Sequence, residues 1–152
     1  MPGILRRILL VEDSSADAEL THEALLEYAV ANGVDWVKDG AEALDFLFCR
    51  GAFQGRIFEP PAVILLDLKL PKIDGLEVLR TIRTTPHLQA IPVVVLTSSQ
   101  EEKDLIHGYS HGANAYVVKP VDGADFIKAV GSLGVFWAMV NAPPPALPPE
   151  VI

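Results

Sequence analysis

The chain has 152 residues, half of them hydrophobic, with a formal net charge of −8 and a single cysteine. This composition predicts one globular domain with a proper core, and it excludes an internal disulfide. The negative charge argues against binding to nucleic acid or to an anionic membrane surface, while it suits cationic partners and metal ions. No apolar stretch has the length of a membrane span. The lone Cys49 fits a reducing compartment, and we expect a cytoplasmic protein.

Short apolar runs alternate along the chain with longer segments that have helical spacing. Because the runs are continuously apolar, they predict strands buried on both faces, as in a parallel sheet covered by helices. Five repeats of strand and helix predict an α/β fold, a doubly wound five-stranded parallel sheet with five helices. The predicted strands lie at residues 8–11, 34–37, 63–66, 93–96 and 116–118.

The starts of four predicted helices carry a side-chain oxygen followed three residues later by an acid. This spacing is typical of a capping box, in which the side-chain oxygen accepts a hydrogen bond from the first turn of the helix. The capping residues are Ser14, Asp39, Asp74 and Ser98. In the first helix, the four-residue spacing predicts an apolar face formed by Ala16, Leu20, Ala24 and Tyr28.

Two segments fall outside this alternation. Residues 51–61 contain two glycines and two prolines and predict a long surface loop before the third strand. Residues 141–152 contain five prolines and predict an extended terminal tail. We therefore expect a domain of residues 1–140 followed by a Pro-rich tail of residues 141–152.

Polar side chains follow four of the predicted strands, at the point where each strand ends. The carboxyl ends of parallel strands meet at one edge of a sheet, so these groups should lie together. Three converging carboxylates repel one another unless a cation neutralises them, and carboxylates with water are the ligands that Mg²⁺ prefers. With a lysine and a threonine hydroxyl, the set suits transfer of a phosphoryl group to a carboxylate. The residues are Glu12, Asp13, Asp67, Thr97 and Lys119, with Asp67 as the nucleophile and Glu12 and Asp13 as metal ligands.

Four stretches of the chain resemble the response-regulator receiver domains, which have the flavodoxin-like, CheY-like fold. All four occur in the order and spacing of that family, over about residues 5 to 138. They are residues 8–13 (ILLVED), residues 65–71 (LLDLKLP) with Asp74-Gly75, residues 94–98 (VVLTS), and residues 112–116 (GANAY) leading to Lys119-Pro120.

The resemblance implies a role for each matching residue. Asp67 matches the phosphoacceptor, and Glu12, Asp13, Asp67 and the backbone carbonyl of Lys69 match the Mg²⁺ site. Thr97 and Tyr116 match the hydroxyl and the aromatic ring that move together on phosphorylation, and Lys119 matches the lysine that binds a phosphoryl oxygen. The peptide bond before Pro120 is expected to be cis. The implied function is that of a single-domain response regulator that receives its phosphoryl group from a sensor histidine kinase, without a DNA-binding output domain of its own.

A finer resemblance is to the stand-alone regulators paired with bacterial phytochrome kinases, which are often dimers. It is carried by the loop of residues 51–61 and by the aromatic pair near the chain end. An exposed apolar surface on the last helix is typical of an interface, unless the tail folds back over it. The candidate interface residues are Val135, Phe136, Trp137 and Met139.

Two other classes of protein remain open. An aspartyl-phosphate phosphatase on a similar sheet would need a second acid two residues after the nucleophile, where this chain has Lys69. A phosphate-independent interaction module would not need the cluster of acids. The hypothesis that follows is a phosphoacceptor switch with at most slow turnover, rather than an enzyme.

Overall fold

The computed structural model describes residues 7–27, 33–97, 112–119 and 124–137. Within these residues the chain alternates between strands and helices as the sequence predicts. In chain order the elements are β1 (Ile8–Val11), α1 (Ser15–Glu27), β2 (Val34–Val37), α2 (Gly40–Leu47), a short 3-10 helix (Gly51–Phe53), β3 (Val63–Asp67), α3 (Gly75–Thr84), β4 (Val93–Thr97), β5 (Ala115–Val118) and α4 (Ala124–Val135).

α4 is the last of the five helices predicted from the sequence. The helix predicted to begin at Ser98, and the Pro-rich tail of residues 141–152, lie outside the described residues. None of the helices that the structure describes has the length and apolar character needed to cross a membrane.

The five strands form one parallel sheet in the order β2-β1-β3-β4-β5. The predicted doubly wound α/β sheet is therefore confirmed. In this order the direction of winding reverses between β1 and β3, and ligand sites of such sheets lie beyond the carboxyl ends of the strands at that point. The register pairs Val11 of β1 with Leu66 of β3, so the residues that follow them are placed side by side.

Side chains alternate between the two faces of the sheet and form an apolar core on each face. Leu9 and Val11 of β1 point into the core that also contains buried residues of α2 and α3. Ile8 and Leu10 point to the opposite core, which includes α1 and Val130 of α4. Every residue of β1 and β3 is buried, as expected for strands covered on both faces.

The capping bonds predicted for three helices are present. Asp39 accepts a hydrogen bond from the backbone N–H of Glu42 at 2.7 Å, and Asp74 accepts one from Glu77 at 3.1 Å. The hydroxyl of Ser14 accepts one from the N–H of residue 17 at 3.2 Å. These bonds satisfy donors in the first helical turn that have no partner within the helix.

The apolar face predicted for α1 was wrong in part. Ala16 is exposed, whereas Ala18, Thr21, Ala24 and Leu25 are buried. Four residues turn an α-helix by slightly more than one full turn, so a strict four-residue row drifts by about 40° per step and leaves the contact face. Tyr28, the last residue of the predicted row, lies outside the described residues.

The predicted loop of residues 51–61 lies on the surface but is packed against its neighbours. The guanidinium of Arg56 lies 3.8 Å from the ring centroid of Phe46 and donates to the carbonyl of Phe46 at 2.7 Å. The ring of Phe58 meets His87 edge-on at 4.9 Å between centroids. His87 is buried, and its burial lowers the pKa of the imidazole.

Arg83, near the end of α3, connects the loops that lead into β4 and β5. Its Nε donates to the carbonyl of Gly112 at 2.8 Å. The terminal nitrogens donate to the carbonyl of Ile91 at 2.8 Å and to Oδ1 of Asn114 at 2.9 Å. One guanidinium thereby ties three segments together at the edge of the sheet opposite the strand-end acids.

Candidate functional site

Three carboxylates meet beyond the carboxyl ends of β1 and β3. Glu12 and Asp13 follow β1 directly, and Asp67 is the last residue of β3. One carboxylate oxygen from each of these residues lies within 4.8 Å of the others. Glu12 is fully buried and Asp67 is 7% exposed, whereas Asp13 is open to solvent. The sheet topology thus places an acidic pocket at its switch point, with one open side.

Lys119, which follows β5, brings a positive charge to these acids. Its Nζ lies 3.0 Å from Oε1 of Glu12, 2.9 Å from Oδ2 of Asp17 and 3.5 Å from Oδ2 of Asp67. The lysine side chain is only 10% exposed. Because a buried charge is costly without partners, the lysine and the carboxylates stabilise one another in the same pocket.

Backbone groups orient the two buried carboxylates. The N–H of Lys69 donates to Oδ1 of Asp67 at 3.3 Å, and the N–H of Ser14 donates to Oε2 of Glu12 at 3.3 Å. The indole N–H of Trp36 donates to the backbone carbonyl of Glu12 at 2.8 Å. These bonds hold the side chain of Asp67 and both the side chain and the backbone of Glu12.

Gly75 allows the first turn of α3 to approach the backbone of the phosphoacceptor candidate. A Cβ atom at this position would lie 2.5 Å from the carbonyl oxygen of Asp67 and 2.6 Å from Cα of Leu68, both closer than carbon atoms tolerate. The N–H of Gly75 donates to the carbonyl of Leu68 at 2.9 Å. A glycine is therefore required for α3 to lie this close to the backbone at Asp67 and Leu68.

The electrostatics of the pocket favour a bound cation. Burial, together with the hydrogen bond and negative charge of Asp67, raises the pKa of Glu12 to about 7, because the opposing effect of the Lys119 ammonium is smaller. Burial opposes protonation of Lys119, but its hydrogen bonds to Asp17 and Glu12 outweigh this and raise its pKa. One lysine does not neutralise this many acids, so the pocket keeps excess negative charge.

The residues present fit a small divalent cation. The three carboxylates supply hard oxygen ligands from converging directions, and the exposed Asp13 leaves room for the water ligands that Mg²⁺ retains. The backbone of Lys69 lies beside Asp67, since its N–H contacts that carboxylate. The ligand role of the Lys69 carbonyl stays a prediction.

The structure brings together four of the predicted site residues: Glu12, Asp13, Asp67 and Lys119. The backbone of Thr97 ends β4, where it pairs with β5, and Tyr116 lies within β5 opposite Val95. The side chains of Thr97 and Tyr116, and all of Pro120, lie outside the part of the chain that the structure describes.

The sequence reasoning missed the participation of Asp17 and Trp36. In the sequence, Asp17 fits the acid of a capping box, and its bond to a lysine 102 residues away has no signal in local spacing. Trp36 belongs to an apolar run, and the direction of its indole N–H depends on the pairing of β2 with β1. Only the order of the strands could have suggested either contact.

The order β2-β1-β3-β4-β5, with an acidic pocket and a lysine at the switch point, defines a flavodoxin-like α/β protein with a charged site at the carboxyl ends of its strands. The sequence profile of the response regulator receiver domain matches residues 8–131. The chain belongs to this family.

The similar proteins include regulators of phytochrome signalling. Response regulator Rcp1 of Synechocystis sp. is 42% identical over 130 residues, which cover 86% of this chain and 87% of Rcp1. The bacteriophytochrome response regulator RtBRR is 55% identical, with a TM-score of 0.78 and coverage of 93% of this chain and 85% of RtBRR.

Two further solved structures show similar proteins in a phosphorylated and in a metal-bound form. The phosphorylated phytochrome response regulator RcpA is 39% identical, has a TM-score of 0.80, and is matched over 93% of this chain and 99% of RcpA. The Mn²⁺-bound form of Rcp1 has a TM-score of 0.77 and is matched over 92% of this chain and 99% of that structure, with 39% identity.

Proposed function

We propose that this receiver domain accepts a phosphoryl group on Asp67 from a sensor histidine kinase in a Mg²⁺-dependent reaction, and that it signals by altered surface contacts. The observation that carries the proposal is the environment of Asp67. Its nearly buried carboxylate lies within 4.8 Å of two other acids and 3.5 Å from a lysine ammonium. Surface acids that only cap helices do not need this combination of burial and opposite charge.

The chemistry requires an anionic carboxylate to attack a phosphorus atom surrounded by negative oxygens. An oxygen of Asp67 forms the new P–O bond while the P–N bond to the kinase histidine breaks. The N–H of Lys69 orients the attacking carboxylate, and Lys119 offers positive charge to the phosphoryl oxygens. Mg²⁺, when bound, screens the charge of the nucleophile and of the incoming phosphoryl group.

We assign the metal to Glu12, Asp13 and Asp67, with the backbone carbonyl of Lys69 as a further ligand. The convergence of the three carboxylates supports this assignment, and the Mn²⁺ bound in the Rcp1 structure supports a divalent cation in a similar protein.

Thr97 and Tyr116 are proposed as the switch residues, because β4 and β5 end beside the acids. We place the domain boundary at residue 140 and the protein in the cytoplasm.

The kinase partner is proposed to be a bacteriophytochrome. The support is the similarity to RtBRR and RcpA, whose names assign them to phytochrome signalling. Phosphotransfer from a panel of purified histidine kinases tests this. A phytochrome kinase should transfer its phosphoryl group faster than the other kinases, and equal rates across the panel would reject the pairing.

A homodimer through the end of α4 is a further part of the proposal. Phe136 is 46% exposed, although it is a large apolar residue, and its ring meets Trp137 edge-on at 5.2 Å. Val135 and Trp137 pack partly against the core between α4 and α1, so Phe136 is the outward member of the candidate set. Met139 lies outside the described residues. Light scattering should show a dimer for the wild type and a monomer for Phe136→Ser, with and without beryllofluoride.

Phosphorylation by acetyl phosphate with Mg²⁺ tests the central assignment. The wild type should acquire a labile acyl phosphate, whereas Asp67→Asn should acquire none. Asp45→Asn removes a carboxylate on α2 that pairs with Arg50, and serves as the matched control with undiminished labelling. Full labelling of Asp67→Asn would reject the acceptor assignment. Rapid multiple-turnover hydrolysis of phosphate monoesters would instead favour a phosphatase. Partner binding that is identical in the wild type and Asp67→Asn would favour a phosphate-independent module.

A further inference from the structure

Asp17, in the first turn of α1, binds a residue outside its own helix. It lies three residues after the capping Ser14, where an acid commonly turns back to the N–H of the cap. In α1 that N–H is instead bonded to the carboxylate of Glu12 at 3.3 Å. The carboxylate of Asp17 reaches out of the helix to Nζ of Lys119 at 2.9 Å.

The corresponding acid of α2 behaves differently. Glu42 lies three residues after the capping Asp39, and its carboxylate does turn back, accepting from the N–H of Lys38 at 3.2 Å. The equivalent acid of α3, Glu77, pairs instead with Arg80 on its own helix. Among these three helix starts, only the acid of α1 contacts a residue that is distant in sequence, at the acidic pocket.

The Lys119 ammonium is held on the α1 side of the pocket. Its contacts with Asp17 and Glu12, at 2.9 Å and 3.0 Å, are shorter than its contact with Asp67, at 3.5 Å. An ammonium has three N–H donors, and these three carboxylates account for all of them. A charge-assisted bond to a phosphoryl oxygen, with a typical length of about 2.8 Å, therefore has to replace one of these contacts.

We propose that Asp17 is a positioning residue that holds Lys119 on the α1 side of the site, and that phosphorylation of Asp67 draws the lysine away from it. The Ser14 cap holds the backbone of Asp17 in the first turn of α1, so this residue can follow the ammonium only as far as its short side chain reaches. The phosphoryl group carries nearly two negative charges and outcompetes a single carboxylate. The change at Asp67 thereby breaks or lengthens a contact with α1, the helix that shares a core with α4.

This inference rests on the proposed function of Asp67, and it predicts a gain rather than a loss on removing Asp17. Without the competing carboxylate, Lys119 is free to bind the phosphoryl group, so Asp17→Asn should bind beryllofluoride more tightly at saturating Mg²⁺. The expected gain is about five- to tenfold, the net contribution of one ordinary hydrogen bond. A purely structural role for Asp17 would give weaker binding.

The titration of beryllofluoride needs two matched controls. Glu19→Gln removes one negative charge from an exposed position on the same helix and should leave the affinity unchanged. An equal gain in Glu19→Gln would show a general charge effect and overturn the role of Asp17, as would unchanged or weaker binding in Asp17→Asn. Asp67→Asn should not bind beryllofluoride. If the wild type binds no beryllofluoride, or binds it equally well without Asp67, the proposed function fails together with the inference.

A crystal structure of the wild-type beryllofluoride complex gives an independent readout. Lys119 Nζ should lie against a fluorine of the bound group and beyond about 3.5 Å from the carboxylate of Asp17. If the bond between Lys119 and Asp17 remains intact in that complex, the inference is overturned while the acceptor role of Asp67 stands.

Discussion

Glu12 should make the metal-free protein less stable as the pH rises. Its pKa increases from an ordinary value of 4.5 to about 7 in the folded chain. The unfolded chain therefore ionises this residue first, and the penalty on the folded state grows between these two pH values and is complete above the higher one. At about 1.4 kcal/mol per pH unit, the rise in pKa corresponds to a loss of about 3 kcal/mol in the free energy of unfolding.

Glu12→Gln removes the ionisation at nearly constant side-chain volume. Glutamine keeps one of the two oxygens, so it can accept from Lys119 or from the N–H of Ser14 but not from both. Urea unfolding in EDTA should give similar stabilities for the two proteins near about pH 4.5. Above about pH 8 the variant should be more stable than the wild type by about 3 kcal/mol. Saturating Mg²⁺ should then stabilise the wild type more than the variant, because the variant lacks one ligand charge. The free energy of unfolding of Glu19→Gln should match that of the wild type at every pH. Parallel stability curves for the wild type and Glu12→Gln in EDTA would refute this account.

Other substitutions test the supports of the site and the fold. Gly75→Ala should cost about 1–3 kcal/mol of stability and weaken beryllofluoride binding, because the alanine Cβ would collide with the backbone at Asp67. An unchanged affinity for beryllofluoride in a titration would contradict the required close approach. Arg83→Met should lower the free energy of urea unfolding by about 1–3 kcal/mol, since it removes three hydrogen bonds from a charged donor, one of them to the carbonyl of buried Ile91. The exposed Arg80→Met should cost less than about 1 kcal/mol, and equal losses would show that the Arg83 bonds contribute little. Burial lowers the pKa of His87, so the folded state loses stability as the pH falls below 6.5, where the imidazole of the unfolded chain becomes protonated first. The midpoint of thermal unfolding of His87→Leu should therefore depend less steeply on pH in that range than the midpoint of the wild type.

The meeting of the acids could be predicted from the sequence because it depends only on topology. Once five apolar runs are assigned to parallel strands, the residues that follow them must reach the same edge. Glu12, Asp67 and Lys119 are found there for that reason. The strands themselves are predictable because residues buried on both faces leave a continuous apolar signal.

The finer contacts could not be predicted because they depend on distances between distant parts of the chain. Asp17 and Glu42 have the same local pattern. The carboxylate of Glu42 turns back to the start of its own helix, whereas the carboxylate of Asp17 binds Lys119. The difference arises because Lys119, which is distant in sequence, lies within hydrogen-bond distance of Asp17 in the folded chain. The exposure of Ala16 has a similar cause, since the buried face of α1 is set by its packing against both the sheet and α4.

The indole of Trp36 has a practical consequence for measuring this switch. It is bonded to the backbone of a proposed metal ligand at 2.8 Å and is 40% exposed, so its emission should respond to changes at Glu12. The chain has only one other tryptophan, Trp137, which adjoins the end of α4. A Trp137→Phe protein therefore contains a single tryptophan, located at the acidic pocket, and with selective excitation of tryptophan the occupancy of the site can be followed optically without a label.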